Sequence, residues 1–140
     1  MIMPYLKFDG DCEEAFLWYA KIFNGEIQHM LRYGDVPENP DMPMSAEQKS
    51  KVMHAQLMLT EIGGISGADS MEPIEKGGAI FIQAHLQDEV LARKVFLELS
   101  KGGTVLGELA INPPPDDSGI SGCINDKYGV TWIISAMRSI

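Results

Sequence analysis

A chain of 140 residues is long enough for one domain with a core that needs no staples. Its net charge of −9, with 11 Lys plus Arg against 20 Asp plus Glu, argues against nucleic acid and anionic membrane surfaces, because phosphate binding needs a basic face. No apolar run approaches the ~20 residues of a membrane span, the start MIMPYLKFDGD lacks the pattern of a signal peptide, and two cysteines make no framework, so a cytoplasmic protein with reduced thiols is expected.

In chain order, Met3 to Asp9 alternates around Tyr5, Leu6 and Phe8 and predicts a strand. Gly10-Asp11 is a turn, and Asp11 is placed to cap the helix that follows. Glu13 and Glu14 suit the positive end of that helix. Ala15, Trp18, Tyr19, Ile22 and Phe23 recur at helical spacing and form one apolar face. Asn24-Gly25 ends the helix, and Glu26 to Tyr33 reads as a second strand. Residues 34–51 hold Pro37, Pro40 and Pro43 and predict a long surface loop or lid, with room for a short helix at Ser45 to Lys49. Val52 to Thr60 is a third strand, with Met53, Ala55, Leu57 and Leu59 on one face and His54, Gln56 and Met58 on the other. Gly63-Gly64 fits the turn into a strand that ends at Ala68.

The plan then returns. Ala79 to Leu86 is a strand, and a helix starting at Gln87 or Asp88 buries Leu91, Ala92, Val95, Phe96 and Leu99. Gly102-Gly103 closes it and Thr104 to Ala110 is a strand. A spacing of about 77 residues sets Ala15 on Ala92, Tyr19 on Phe96, Ile22 on Leu99 and Gly25 on Gly102, the mark of an internal repeat. Pro113-Pro114-Pro115 makes a stiff loop. Gly119 to Asn125 and Val130 to Ala136 form a closing hairpin around Asp126-Lys127-Tyr128-Gly129. The expected fold is α+β: a single domain over 1–140 built of two βαβββ modules, about 1–70 and 78–140. They would form an eight-stranded curved mixed sheet with helices outside and a cleft inside.

YLKFDGDCEEA at Tyr5 to Ala15, MHAQL at Met53 to Leu57, IGGISGAD at Ile62 to Asp69 and DKYGVTW at Asp126 to Trp132 occur in this order along nearly the whole chain. In this the sequence resembles the PhnB-like branch of the vicinal-oxygen-chelate superfamily, which includes glyoxalase I, bleomycin-resistance proteins and extradiol dioxygenases. It departs from the branch before the last hairpin, where INPPPDDSGISG replaces the usual aromatic pair and Gly-rich run. Some members of the branch carry a 3-demethylubiquinone methyltransferase label. The chain has no glycine-rich loop of the dinucleotide-binding type for S-adenosylmethionine, so that label looks misapplied.

The resemblance implies a small-molecule ligand held between the modules, and often a homodimer. Metalloenzymes of the superfamily place His and carboxylate or amide ligands on inner strand faces of both modules. Here no strand set supplies one His or carboxylate each, so the expected metal content is none. A divalent ion on His54 or His85 is the runner-up, with lyase, isomerase or dioxygenase chemistry. A third reading is a structural or partner-binding protein. Ligand-binding candidates are His54, Gln56, Gln83 and Trp132. His54 either serves a polar ligand as donor or base, or is bonded to a neighbouring strand or to Asp69. Gln83 is expected to complement it across the cleft. Phe8 and Tyr33 are further pocket-lining aromatics, and His29 reads as an ordinary surface histidine. Cys12 sits where a helix N-terminus lowers a thiol pKa but beside acids that oppose this, and Cys123 reads as packing. Met42, Met44, Met53 and Met58 suggest an adaptable apolar surface, either core filler or a dimer contact.

Overall fold

The computed structural model describes residues 1–140. The elements run β1 (Tyr5–Phe8), α1 (Cys12–Phe23), β2 (Glu26–Arg32), α2 (Ala46–Ser50), β3 (Val52–Met58) and β4 (Gly64–Asp69), then β5 (Ile82–His85), α3 (Glu89–Ser100), β6 (Thr104–Ile111), β7 (Gly119–Asn125) and β8 (Thr131–Met137). A single 3₁₀ turn, Tyr33–Asp35, follows β2. The chain divides into two compact units, Met1–Glu75 and Lys76–Ile140.

Each unit is one βαβββ module, and the two share a topology. The first sheet has strand order β1-β4-β3-β2 and the second β5-β8-β7-β6. In each, the strand before the helix pairs parallel with the last strand, and the other pairings are antiparallel. The fold is therefore α+β in two modules, each with its own four-stranded mixed sheet.

The helices fit the apolar spacing, with one change of face. In α1 the buried residues are Cys12, Ala15, Phe16, Tyr19, Ile22 and Phe23. Phe16 replaces the expected Trp18, which stays partly exposed. Gly67 of β4 explains the difference. A Cβ there would lie 2.9 Å from the Phe16 ring, so the missing side chain lets the ring lie directly on the sheet. In α3, Ala92, Val95, Phe96 and Leu99 are buried, and Phe96 likewise sits over Gly122 of β7.

The start of α1 also differs from expectation. Asp11 makes no side-chain cap. Asp69, at the end of β4, supplies it instead: its Oδ1 accepts from the backbone N–H of Cys12 at 2.9 Å, and its Oδ2 accepts from Val52 N–H at 2.8 Å. One buried carboxylate thus ties the helix start, β3 and β4 together. The second helix is capped locally, Asp88 Oδ1 accepting from Leu91 N–H at 2.8 Å. At the end of α1 it is Asn24 that takes the left-handed conformation (φ 54°, ψ 42°). Within the long loop, α2 forms behind a Ser45 cap, Gln48 N–H donating to Ser45 Oγ at 3.1 Å.

On β3 a register shift lies between Leu31 and Arg32 where they pair with His54 and Val52. Met53 falls in the irregularity, and Val52 rather than Met53 joins Ala55, Leu57 and Leu59 in the core.

Candidate functional site

Each sheet has one face under its helix and one face away from it. Partners in register share a face, and neighbours along a strand alternate. Gly67, Ala55 and Leu6 are in register under Phe16. The opposite face of the first sheet therefore carries two rows across the strands. Tyr5, Ser66, Gln56 and His29 form one; by alternation along the strands, Lys7 with its partner Ala68 and His54 with its partner Leu31 fall in the other.

On this face the rings come together. The Tyr5 hydroxyl lies 3.0 Å from His54 Nδ1, and the two rings stack at 5.6 Å between centroids. His29 is on the other side, its ring 4.9 Å from that of His54. Lys7 Nζ lies 5.6 Å from the centre of the Tyr5 ring. Burial raises the Tyr5 hydroxyl pKa, with smaller contributions from Cys12 and Tyr33. Tyr5 thus keeps its hydroxyl proton at physiological pH and can donate to His54 Nδ1 or accept from it. The expected alternative for His54, a bond to Asp69, does not occur. Both oxygens of Asp69 serve backbone N–H groups, and its carbonyl accepts from the Tyr33 hydroxyl at 2.9 Å.

His54 and Gln56 thus share a face, as the alternation requires. The sequence reading missed Tyr5 and His29. The two histidines are 25 positions apart in the chain and lie diagonally on adjacent antiparallel strands. The period-2 pattern gives each one's face but not the strand register that joins them; His29 is exposed, as expected of a surface histidine, and its ring packs on that of His54.

The second sheet has a matching face. Gly122 and Ile134 are in register under Phe96, so Gln83, His85, Ile133 and Ser135 face away from α3. Gln83 Nε2 donates to Ser135 Oγ at 3.2 Å, and His85 Nδ1 lies 3.0 Å from the same oxygen. Gln83 and His54 belong to different units.

Trp132 is corrected. It is 0% exposed, in register with Ile82 and Ile124 on the helix face. Its Nε1 donates to Asp126 Oδ2 at 2.9 Å, while Asp126 Oδ1 accepts from Tyr128 N–H at 2.9 Å and Val130 N–H at 3.0 Å. The DKYGVTW motif is a carboxylate that closes a hairpin and pins an indole in the core. Phe8 is also in the core.

Neither thiol is an activated nucleophile. Cys12 is buried, and its pKa is pushed up to about 12, first by burial and then by Asp69, Asp11 and Glu13. Burial raises Cys123 as well, against a backbone hydrogen bond from Ile124. Within either unit no three His, Cys, Asp or Glu side chains converge as a metal would need.

The sequence profile of the 3-demethylubiquinone-9 3-methyltransferase family matches residues 1–135. The chain belongs to this family. Among solved structures it is similar to protein PA1353 from Pseudomonas aeruginosa, with 28% identity, a TM-score of 0.82, and 99% of this chain and 98% of that one covered. It is similar also to a PhnB protein from Bacillus cereus, with 26% identity, a TM-score of 0.74 and the same coverage. YjdN of Escherichia coli K12 is 22% identical over 98% of this chain and 95% of its own. A glyoxylase/bleomycin resistance protein/dioxygenase domain from Frankia, 12% identical with a TM-score of 0.63, shares the fold. So does the fosfomycin resistance protein FosX of Listeria monocytogenes, 12% identical with a TM-score of 0.58 and solved with Mn(II) and sulfate. The chain is thus a PhnB-like member of the vicinal-oxygen-chelate fold.

Proposed function

We propose that this protein binds a small organic molecule on the sheet faces that lie away from the helices, the two units serving one glyoxalase-like domain, and that it does so without a metal centre. The observation that carries the reading is the Tyr5–His54–His29 ring cluster. Three rings that could have been solvated separately are packed on a sheet face, Tyr5 and His54 also hydrogen bonded, with Gln56 in the adjacent position. Gln83, His85 and Ser135 give the second unit a polar group on its corresponding face. Such faces offer a few placed donors beside aromatic surface, which suits a small ligand. The acidic composition supports a protein that leaves nucleic acid and anionic membranes alone; a cytoplasmic homodimer is the state we propose for it.

The methyltransferase in the family description is not part of this proposal. The β1–α1 turn carries one glycine, Gly10, where a cofactor-binding loop would carry several. No three His, Cys, Asp or Glu side chains group within either unit; a divalent ion on His54 or His85 with lyase, isomerase or dioxygenase chemistry is the alternative reading.

A thermal-shift screen of small organic acids, amides and alcohols tests the proposal, run on wild type and on a His54→Gln, Gln83→Ala double variant. Hits that stabilise wild type and fail to stabilise the variant are expected. A screen without hits would sink the reading. Elemental analysis of protein purified without a chelating tag is expected to find no stoichiometric zinc, nickel or iron.

A further inference from the structure

The open face of the first sheet differs in charge from the rest of the molecule. The chain carries 20 acids against 11 Lys plus Arg. In the two rows around the ring cluster stand one lysine, two histidines, an amide and two hydroxyls, with no carboxylate. Glu26 lies beyond these rows, in register with Met58 and three strands away from Lys7, and exposed Asp9 follows just past the end of β1.

The donors here are also uncommitted. Lys7 is exposed and enters none of the ion pairs, which use Arg32, Lys49, Arg93 and Lys101. His54 spends Nδ1 on Tyr5 and keeps Nε2 without a protein partner. An ammonium and an imidazole nitrogen therefore stand beside a Tyr5 ring that is 48% exposed. An acidic protein that keeps a patch of unspent donors beside an exposed aromatic face has the complement of a flat anion.

We propose that the ligand of this face is a planar carboxylate, an aromatic or conjugated acid whose ring lies against the Tyr5–His54–His29 cluster and whose anion is taken by Lys7 and His54. This rests on the small-molecule-binding reading and names its chemical class. The ring cluster supplies the shape selection. The absence of a carboxylate from the two rows lessens the repulsion that most of this surface would exert on an anion.

Benzoate, benzamide and acetate are the probes, titrated into isotope-labelled full-length protein and followed by two-dimensional NMR. Benzoate is expected to shift amides of β1 and β3 and the ring signals of His29 and His54. It should bind about tenfold more tightly than benzamide, the difference a charge-assisted hydrogen bond makes. Acetate, lacking the ring, is expected to bind about tenfold more weakly than benzoate. Lys7→Met is expected to collapse the preference for benzoate over benzamide, and Tyr5→Ala to collapse that over acetate. The protein spectrum shows directly whether each variant is folded. Equal binding of benzoate and benzamide would overturn the carboxylate assignment while leaving small-molecule binding intact. Shifts confined to the Gln83–Ser135 face would overturn the location. No binding by any probe would overturn the inference, and the broader screen then decides the reading beneath it.

Discussion

Asp69 and Asp126 are each 3% exposed, and both sit in the motifs that carry the family likeness. Acids in such motifs invite a catalytic reading. Their geometry gives a structural one, because every carboxylate oxygen is occupied by a backbone N–H or an indole N–H. Asp69→Ala leaves the N–H groups of Cys12 and Val52 buried without an acceptor. It is expected to cost about 3–5 kcal/mol in urea unfolding, the sum of two charge-assisted bonds. Asp69→Asn keeps one acceptor oxygen and should cost less. Cys12 gives a second expectation at this scale. Its thiol pKa is raised above the ordinary value of 9.0 to about 12 by burial and nearby acids. A raised pKa contributes stability below the unfolded value and loses it as pH climbs through the folded one. Replacing Cys12 by Ala should therefore flatten the fall in stability between pH 9 and 12, measured by denaturation at a series of pH values. In native protein at pH 8, Cys12 should react with a thiol reagent far more slowly than the less buried Cys123.

Among the elements, the helix–sheet contacts show how aromatic rings and glycines were paired. Phe16 lies on Gly67 and Phe96 on Gly122, one such contact in each module. Gly67→Ala would place a methyl group 2.9 Å from both the Phe16 ring and the Leu6 carbonyl oxygen. Neither the packed ring nor the backbone has room to move, so a loss of about 1–3 kcal/mol is expected, read as a lower urea midpoint with an unchanged slope. The caps of the two long helices differ in kind. Asp88→Ala removes a local cap and should cost about 1 kcal/mol. The α1 cap comes from 57 positions away, so its loss should destabilise β3 and β4 as well. Hydrogen exchange can tell these apart. Faster exchange confined to the α3 start is expected for Asp88→Ala, and faster exchange spread over α1 and β3 for Asp69→Asn.

For the molecule as a whole, two units repeat one strand order while their open faces carry different chemistry: rings and Lys7 on the first, a Ser135-centred amide and imidazole pair on the second. The helix-facing side of each sheet keeps an aromatic ring over a glycine, while the sides facing away from the helices differ. Light scattering during size exclusion is expected to give twice the 15.4 kDa chain mass. A mass of one chain would remove the homodimer from the proposal.

Sequence periodicity by itself determined the element order, the repeat, and the face on which His54 and Gln56 lie. These follow from local spacing: 3.6 residues per turn in a helix, two per repeat in a strand, and glycine at the breaks. Tertiary structure decided what depends on register between distant strands. It put His29 beside His54 and Tyr5 across from both. It gave the α1 cap to Asp69 rather than to neighbouring Asp11, and it sent Trp132 into the core, where Asp126 could satisfy its N–H. Each of these is a pairing of residues far apart in the chain, and no local period encodes which distant partner a side chain will meet.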